Sequence, residues 1–324
     1  MTAFLVAVFF AFIPAFLMGV FVYWLDRYEK EPLALLGGTF IWGAVVAAGG
    51  AYIVNTVFGV GIYVLSGSEN LADQTTANLI APFVEEGLKG MAVVIVFLFF
   101  HNEFDSILDG IIYASITALG FAATENMLYI YGRGYLDQGW SGLWQMVIIR
   151  DVVVAWQHPF FTAFTGIGLA VARINKQVWI KLMAVPAGYA LAVMTHAFHN
   201  AFGGAVGGLE GFALGSLLDW SGWVAMLVFI LLMISRERGL LKRQLVEEVN
   251  SGVISMTQYN KALSPFTLST ARFKGGPSAS RFYQVCGELA HKKEQLAKLG
   301  DEDGNLAQVQ SLRGELAVLS PRVP

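Results

Sequence analysis

The sequence is poor in cysteine and in charge. Its 324 residues contain one cysteine, Cys286, so the chain can form neither an internal disulfide nor a CxxC pair. Charged residues make up 14% of the chain, whereas soluble globular domains contain roughly a quarter. A glycine-rich phosphate loop, a low-complexity tract and an internal repeat are also missing. These absences argue against nucleotide-binding, repeat and ordinary soluble proteins.

Long apolar runs are the dominant feature. Hydrophobic residues account for 56% of the chain, and the mean hydropathy is +0.57. Because about 20 apolar residues suffice to cross a bilayer, we expect spanning helices at 2–24, 33–57, 78–100, 105–131, 146–172, 181–203 and 212–234. The sequence thus predicts an all-α, polytopic transmembrane helix bundle of about seven helices.

The charges divide the chain into two parts. Residues 1–235 contain 8 Lys+Arg and 15 Asp+Glu, whereas residues 236–324 contain 13 and 9. We therefore expect a transmembrane bundle over 1–235 and a small, basic, soluble helical tail over 236–324. In the tail, GGPSAS (275–280) predicts a break, followed by helix over 281–299 and again up to Leu319. The partner of the tail is left open.

The basic residues of the short loops predict the orientation. Under the positive-inside rule, the loops rich in Lys and Arg lie in the cytoplasm. Here they fall in alternate loops, with Arg27, Lys30, Arg173, Lys176, Lys181, Arg236, Arg238, Lys242 and Arg243 on one side. This places the N-terminus outside and the tail in the cytoplasm of a multi-pass plasma-membrane protein.

The ionisable side chains inside these apolar runs include Glu85, Glu86, Glu125, His158 and His196. Ionisable groups are costly in hydrocarbon and usually mark a functional site. With a rise of about 1.5 Å per residue, Glu85, Glu125, His158 and His196 lie about 9 to 13 Å below the outer surface. The sequence therefore predicts one polar layer, in the outer half of the bilayer, built from four helices.

Helical spacing adds two neighbours to this layer. Asn200 follows His196 by four residues and shares its face, and Lys89 follows Glu85 by four. Lys89 can then neutralise one carboxylate of the Glu85/Glu86 pair. By contrast, a second acidic pair, Asp105 and Asp109, lies at the start of the predicted fourth helix, where acids favour the helix N-terminus. We assign that pair a structural role.

Two imidazoles and a carboxylate are a ligand set that suits a catalytic zinc. Glu85, His158 and His196 are the predicted ligands of Zn²⁺ or another divalent metal, and Glu125 is a further candidate. A second carboxylate can then act as general base, and the Glu85/Glu86 pair offers both roles. In a metal-free alternative, a glutamate activates water while His and Asn stabilise the oxyanion. The sequence does not choose between these mechanisms.

Four motifs occur in a recognisable order: EEGLK (85–89), FDSILDGIIYASITALGFAATEN (104–126), HPFFTAFTGIGLA (158–170) and HAFHN (196–200). Over about residues 80–202 the chain resembles the PrsW family of intramembrane proteases, related to CAAX prenyl endopeptidases and bacteriocin-immunity proteins. The resemblance implies hydrolysis of a peptide bond, with Glu85, Glu86, His158, His196 and Asn200 as the catalytic set. It also implies regulatory cleavage of the anti-sigma-factor type.

Our leading hypothesis is an intramembrane endopeptidase that cuts a membrane protein or peptide near the extracytoplasmic face. The enzyme would lie in the lipid bilayer, and no nucleic-acid partner is expected. Two other hypotheses remain. A proton-coupled transporter or channel would use the Glu/His layer as a relay. A non-catalytic scaffold or sensor would act through its tail.

Overall fold

The computed structural model describes residues 1–206, 208–301 and 304–323. Over these ranges the chain is helical and contains no strand. The bundle consists of α1 (Thr2–Leu25), α2 (Leu33–Ile41), α3 (Ala48–Ser66), α4 (Glu69–Thr75), α5 (Ala81–Phe99), α6 (Ile107–Leu128), α7 (Asp137–Ile148), α8 (Gln157–Ile174), α9 (Val178–Val206) and α10 (Gly208–Gln244). Short π-helical stretches join several of these helices at Trp42–Ala47, Thr76–Ile80, Tyr129–Leu136 and Ile149–Val153.

Five helical segments of the described chain are long and apolar enough to cross a membrane. They are Thr2–Leu25, Leu33–Ser66, Ile107–Ile174, Val178–Phe202 and Glu210–Asn250. This confirms the predicted all-α polytopic bundle. The count of about seven spanning helices stays a prediction. The segment Ile107–Ile174 contains both α6 and α8, and α5, which carries Glu85, Glu86 and Lys89, is not among the five segments.

Helix α6 forms the centre of the bundle and is buried over most of its length. Glycines let neighbouring helices approach its backbone. A Cβ at Gly166 of α8 would lie 1.9 Å from the Gly110 carbonyl oxygen, and one at Gly120 would lie 2.0 Å from the Phe40 carbonyl oxygen. Such close packing through small residues is the usual way membrane helices associate, since lipid offers no hydrophobic drive between helices. It holds α6 and α8 together along their shared length.

The predicted fifth helix, 146–172, is interrupted at residues 154–156. The chain leaves helical geometry after the π-helical stretch Ile149–Val153, and α8 begins only at Gln157. The Trp220 side chain on α10 donates a hydrogen bond to the Val153 carbonyl at 2.8 Å, which satisfies a backbone acceptor at the interruption. His158 consequently lies in the first turn of α8 instead of deep within a longer helix.

The tail contains α11 (Val246–Asn250), α12 (Met256–Ala262), α13 (Thr267–Leu299) and α14 (Asn305–Leu319). The predicted break at 275–280 is a kink inside α13, where Gly276 has a φ of 73°. The predicted helix that ends at Leu319 is present as α14. Since α10 continues without interruption to Gln244, the expected boundary at 235/236 falls within a helix. The division into two domains therefore stays a prediction.

The predicted structural role of the acidic pair at the start of α6 is confirmed as helix capping for Asp109. Ser106 caps the N-terminus of α6, and Asp109 accepts hydrogen bonds from the backbone amides of Ser106 and Asp105 at 2.6 and 2.8 Å. This reciprocal arrangement satisfies amide groups that have no partner within the helix. Asp109 thus serves the start of α6, at the end of the bundle that faces the tail.

The tail packs on the loop between α1 and α2. Tyr28 of that loop is buried in the hydrophobic core of the tail, and its hydroxyl donates to the Leu263 carbonyl at 3.3 Å. Helix α13 approaches the same loop closely, because a Cβ at Gly287 would lie 2.1 Å from the Tyr28 carbonyl oxygen. The first loop of the bundle is therefore a structural part of the tail.

Ion pairs reinforce this junction. His291 of α13 is 4% exposed, and its Nδ1 contacts Glu29 and lies 3.4 Å from Asp105 Oδ1. The neighbouring Lys292 donates to the Asn102 carbonyl at 2.8 Å and lies 3.3 Å from Asp105 Oδ2. The positive side chains of α13 therefore join the two loops that carry Glu29 and Asp105.

The docking of the tail should weaken as the pH rises. Burial alone would lower the pKa of His291, but the carboxylates of Asp105 and Glu29 outweigh it and raise the pKa well above the usual imidazole value. Burial raises the pKa of Glu29 to about 8. The stabilisation of the docked tail by His291 is thus complete below about pH 6.5 and is lost as the pH rises through the raised pKa of this residue. The stabilisation by Glu29 is also lost as the pH rises, between about pH 4.5 and 8.

Labelling of Cys286, the single thiol and a buried one, measures this opening. The rate at each pH is divided by that of the denatured chain. We expect the normalised rate to increase between about pH 6.5 and 9. His291→Gln keeps a donor beside Glu29 but does not titrate, so its increase should be smaller. An identical increase in both proteins would exclude His291 as a cause.

Candidate active site

Four helices contribute to one polar cluster at the end of the bundle opposite the tail. Glu86 lies near the start of α5, Glu125 near the end of α6, His158 at the start of α8 and His196 towards the end of α9. Glu125 Oε2 is 2.8 Å from His158 Nε2, and Glu86 Oε1 is 3.0 Å from His196 Nδ1. Because α5, α6, α8 and α9 alternate in direction, these distant sequence positions share one layer.

Glu86 is fully enclosed by donors from the chain itself. It is 0% exposed; Lys89 Nζ lies 2.5 Å from Oε1, and Thr162 Oγ1 donates to Oε2 at 2.8 Å. His196 Nδ1 also faces Oε1, and a carboxylate can only accept, so this nitrogen carries the proton. The lone pair of His196 is then on Nε2, which lies 3.9 Å from Glu85 Oε2.

Lys89 connects the two histidines. It is fully buried, and its ammonium lies 3.2 Å from His158 Nδ1 as well as beside Glu86. Since an ammonium only donates, His158 Nδ1 accepts and Nε2 faces Glu125. The expectation that Lys89 neutralises one of the two glutamates therefore refers to Glu86, because Glu85 Oε2 is 4.0 Å from the ammonium.

Glu85, His158 and His196 offer three ligand atoms that all lie within 4.8 Å of one another. Glu85 Oε1 accepts from Asn55 at 3.4 Å, whereas the buried Oε2 has no hydrogen-bond partner. Two imidazoles and a carboxylate with an unpartnered oxygen are a zinc-type ligand set, and His196, whose Nδ1 donates to Glu86, has the usual orientation of such ligands. His158 differs, because its Nδ1 accepts from Lys89 and its Nε2 donates to Glu125, so Nε2 must lose its proton before it can bind a metal. The described residues thus fit a divalent metal.

A second group of this kind, Glu29, Asp105 and His291, is the ion-pair network that docks the tail. Lys292 supplies a further positive charge there, 3.3 Å from Asp105. We therefore interpret it as a structural contact and place the candidate site at Glu85.

The part of the chain that carries this cluster matches a known protein family. The sequence profile described as PrsW family intramembrane metalloprotease matches residues 31–235, which include every residue of the cluster. The chain belongs to this family. The tail lies beyond the matched residues, so the family resemblance concerns the bundle alone.

Curated PrsW proteases agree with this assignment. The chain is 30% identical over 146 residues to "Protease PrsW" of Geobacillus kaustophilus, a match that covers 45% of this chain and 57% of that protein. It is 31% identical over 171 residues to "Protease PrsW" of Bacillus subtilis, covering 51% and 70%. The chain thus spans little more than half the length of the first of these relatives. No solved structure matches the chain.

Arg150 is a member of the cluster that the sequence reasoning missed. It pairs with Glu125, and its Nε donates to Asn126 Oδ1 at 2.7 Å. Asn126 in turn donates to Asp151 at 3.0 Å. The available signal was an arginine inside the apolar run 146–172. The interruption before α8 lets it turn back toward α6.

Asn200 does not join the cluster. Its amide donates to the Ala77 carbonyl at 2.7 Å, in the π-helical stretch before α5. The four-residue spacing correctly put Asn200 on the helix that carries His196, but a side chain one turn further along reaches another backbone. The expected role of Asn200 in holding an oxyanion is therefore not supported by these contacts.

A cavity of about 370 Å³ opens beside the cluster. Its wall includes Glu85, Glu125 and Phe121, together with Ala48, Ala51, Tyr52, Asn55, Thr56, Thr76, Ala81, Leu128, Tyr129 and Arg133. Glu86 and Lys89 do not line it. Glu85 is therefore part of the cavity wall, whereas the Glu86–Lys89 ion pair is not.

Proposed function

We propose that this PrsW-family chain is an intramembrane metalloprotease that hydrolyses a peptide bond of a membrane-associated polypeptide. The observation that carries the proposal is the convergence of Glu85, His158 and His196 beside an open cavity. The names of the relatives, each "Protease PrsW", support the same activity.

Glu85, His158 and His196 would hold a divalent metal such as Zn²⁺, which when bound supplies a nucleophile at neutral pH and polarises the scissile carbonyl. Glu86 keeps His196 Nε2 free for a metal by accepting from Nδ1. Lys89 holds the His158 ring by donating to Nδ1, and His158 Nε2, which donates to Glu125, would lose its proton when a metal binds. These contacts fix the ring orientations before substrate arrives, and such outer partners strongly affect metalloenzyme activity.

We assign the general base to Glu125 in place of Glu86. Glu86 has both oxygens engaged by buried donors and does not reach the cavity. Glu125 lines the cavity, and its carboxylate lies 2.8 Å from His158 Nε2. A carboxylate there can take the proton of the attacking water and return it to the leaving amine. Arg150, paired with Glu125, orients that carboxylate.

The cut would lie near the extracytoplasmic face, in regulatory proteolysis of the anti-sigma-factor type. The loop charges support this orientation, because the cluster and the tail occupy opposite ends of the bundle and the positive-inside rule puts the tail in the cytoplasm. The substrate would be a single-span membrane protein whose chain enters the cavity from the bilayer.

Proteoliposomes that contain the full chain and a set of single-span reporter proteins test this function. We expect one or more reporters to be cut near their outer end, with the site mapped by mass spectrometry, and no cut with Glu85→Gln. Equal cleavage by both proteins would refute the assignment. A proton or solute flux that depends on Glu85, without cleavage, would instead favour the transporter.

A further inference from the structure

The cavity beside Glu85 contains more unsatisfied polar atoms than a metal ligand set needs. Asn55 Oδ1 on α3 and Thr76 Oγ1 on the stretch before α5 are buried and have no hydrogen-bond partner. Both side chains line the cavity, as does Glu85, whose Oε2 is the third such atom. A buried polar group without a partner is costly, so three of them in one wall indicate a polar ligand.

The two side chains come from elements that meet closely. A Cβ at Gly59 of α3 would lie 3.3 Å from Thr76 Oγ1, so the absence of a side chain at residue 59 leaves room for the hydroxyl. Asn55 lies one turn before Gly59 on the same helix and donates its amide to Glu85 at 3.4 Å. Its carbonyl oxygen is thereby left as an acceptor next to the candidate catalytic carboxylate.

The chemistry of these atoms fits the backbone of a polypeptide. A membrane-spanning helix must unwind before its peptide bond can be attacked, and the unwound segment then exposes N–H and C=O groups that lipid cannot satisfy. Asn55 Oδ1 can only accept a hydrogen bond, whereas the Thr76 hydroxyl can donate one. Together they supply the acceptor and the donor that an unwound segment lacks.

We propose that Asn55 and Thr76 bind the unwound main chain of the substrate beside Glu85. This inference rests on the proposed protease function and adds a substrate class to it. The selected polypeptides are those whose spanning helix unwinds easily near the outer end, for example through Gly and Pro, because main-chain contacts do not read side chains. Asn55 and Thr76 are positioning residues in this scheme.

The chain provides a matched control in Thr56. Thr56 is adjacent to Asn55 and lines the same cavity, but its hydroxyl already donates to the Tyr52 carbonyl at 2.7 Å. Thr56→Val and Thr76→Val therefore make the same chemical change in the same cavity. Only the second removes a hydroxyl that has no partner within the protein.

The test uses the full chain in proteoliposomes and two synthetic single-span peptides of leucine and alanine. One carries a Gly-Pro pair near its outer end and the other is a continuous helix. Binding is measured by fluorescence transfer from a dye on the peptide. We expect the Gly-Pro peptide to bind more tightly, and Thr76→Val and Asn55→Leu each to weaken its binding about five- to tenfold. Thr56→Val should change nothing.

Two results would overturn the inference: no preference of the wild-type chain for the Gly-Pro peptide, or equal binding by Thr76→Val and Thr56→Val.

The cleavage assay separates this outcome from failure of the protease function. On a cut reporter, Thr76→Val should raise KM by a similar factor and leave kcat nearly unchanged. Reporter cleavage with no effect of Thr76→Val refutes main-chain binding alone. Peptide binding that depends on Asn55 and Thr76, without any cleavage, refutes the protease function alone.

Discussion

Replacing His196 by alanine should abolish cleavage and the bound metal together. The substitution removes His196 Nε2, which lies 3.9 Å from Glu85 Oε2 and is one of the three candidate ligand atoms. We expect the cleavage rate to fall on the order of 10³-fold or more, because the metal and the orientation of water are lost at once. Reporter cleavage and metal analysis of the purified protein measure the two effects.

His199 is the matched control for this substitution. It lies on the same helix three residues further along, but it pairs with Asp219 at 2.9 Å and contacts Gln157. His199→Ala should therefore retain the metal and most of the cleavage rate. Glu86→Gln should fall between the two variants, with a loss of about 10- to 100-fold, because it alters the partner of His196 without removing a ligand. Full activity in His196→Ala would refute the site.

Replacing Lys89 by methionine should destabilise the bundle severely. Lys89 and Glu86 are both 0% exposed and form an ion pair at 2.5 Å. Methionine preserves much of the volume but leaves the Glu86 carboxylate without its counter-charge in an apolar interior. Breaking a buried pair in this way costs about 3–5 kcal/mol, since the remaining charge keeps its desolvation penalty. Thermal unfolding of the detergent-solubilised chain measures the loss.

The double variant Lys89→Met/Glu86→Gln distinguishes charge from packing. A glutamine can still bond with Thr162 and His196 but carries no charge, so most of the lost stability should return. Lys176→Met, at an exposed position between α8 and α9, controls for the substitution itself and should have little effect. If the double variant is as unstable as Lys89→Met, the ion pair is not the cause.

Composition and helical spacing predicted the class of the protein and the layer of its polar groups. Apolar runs of about 20 residues indicate spanning helices whatever their neighbours are. A helix advances by a fixed rise, so the depths of Glu85, Glu125, His158 and His196 could be compared without knowing how the helices pack. The helix boundaries were less secure, and the error at 146–172 concealed the contact of Arg150 with Glu125.

Side-chain partners depended on packing that no spacing rule contains. Glu85 and Glu86 are adjacent in sequence and point about 100° apart, but their roles depend on which direction faces Lys89, Thr162 and the cavity. Asn200 shows the reverse, because the spacing placed it on the helix of His196, whereas its amide donates to the Ala77 carbonyl.

The sequence by itself determined that this chain is a helical membrane protein of the PrsW type, because hydropathy and motif order are properties of the chain alone. Only the tertiary structure brought Arg150 to Glu125, placed Glu85 but not Glu86 in the cavity wall, and paired Asn200 with the Ala77 carbonyl. The reason is physical: periodicity states the face and height of a residue, whereas its partner depends on how neighbouring helices pack against it.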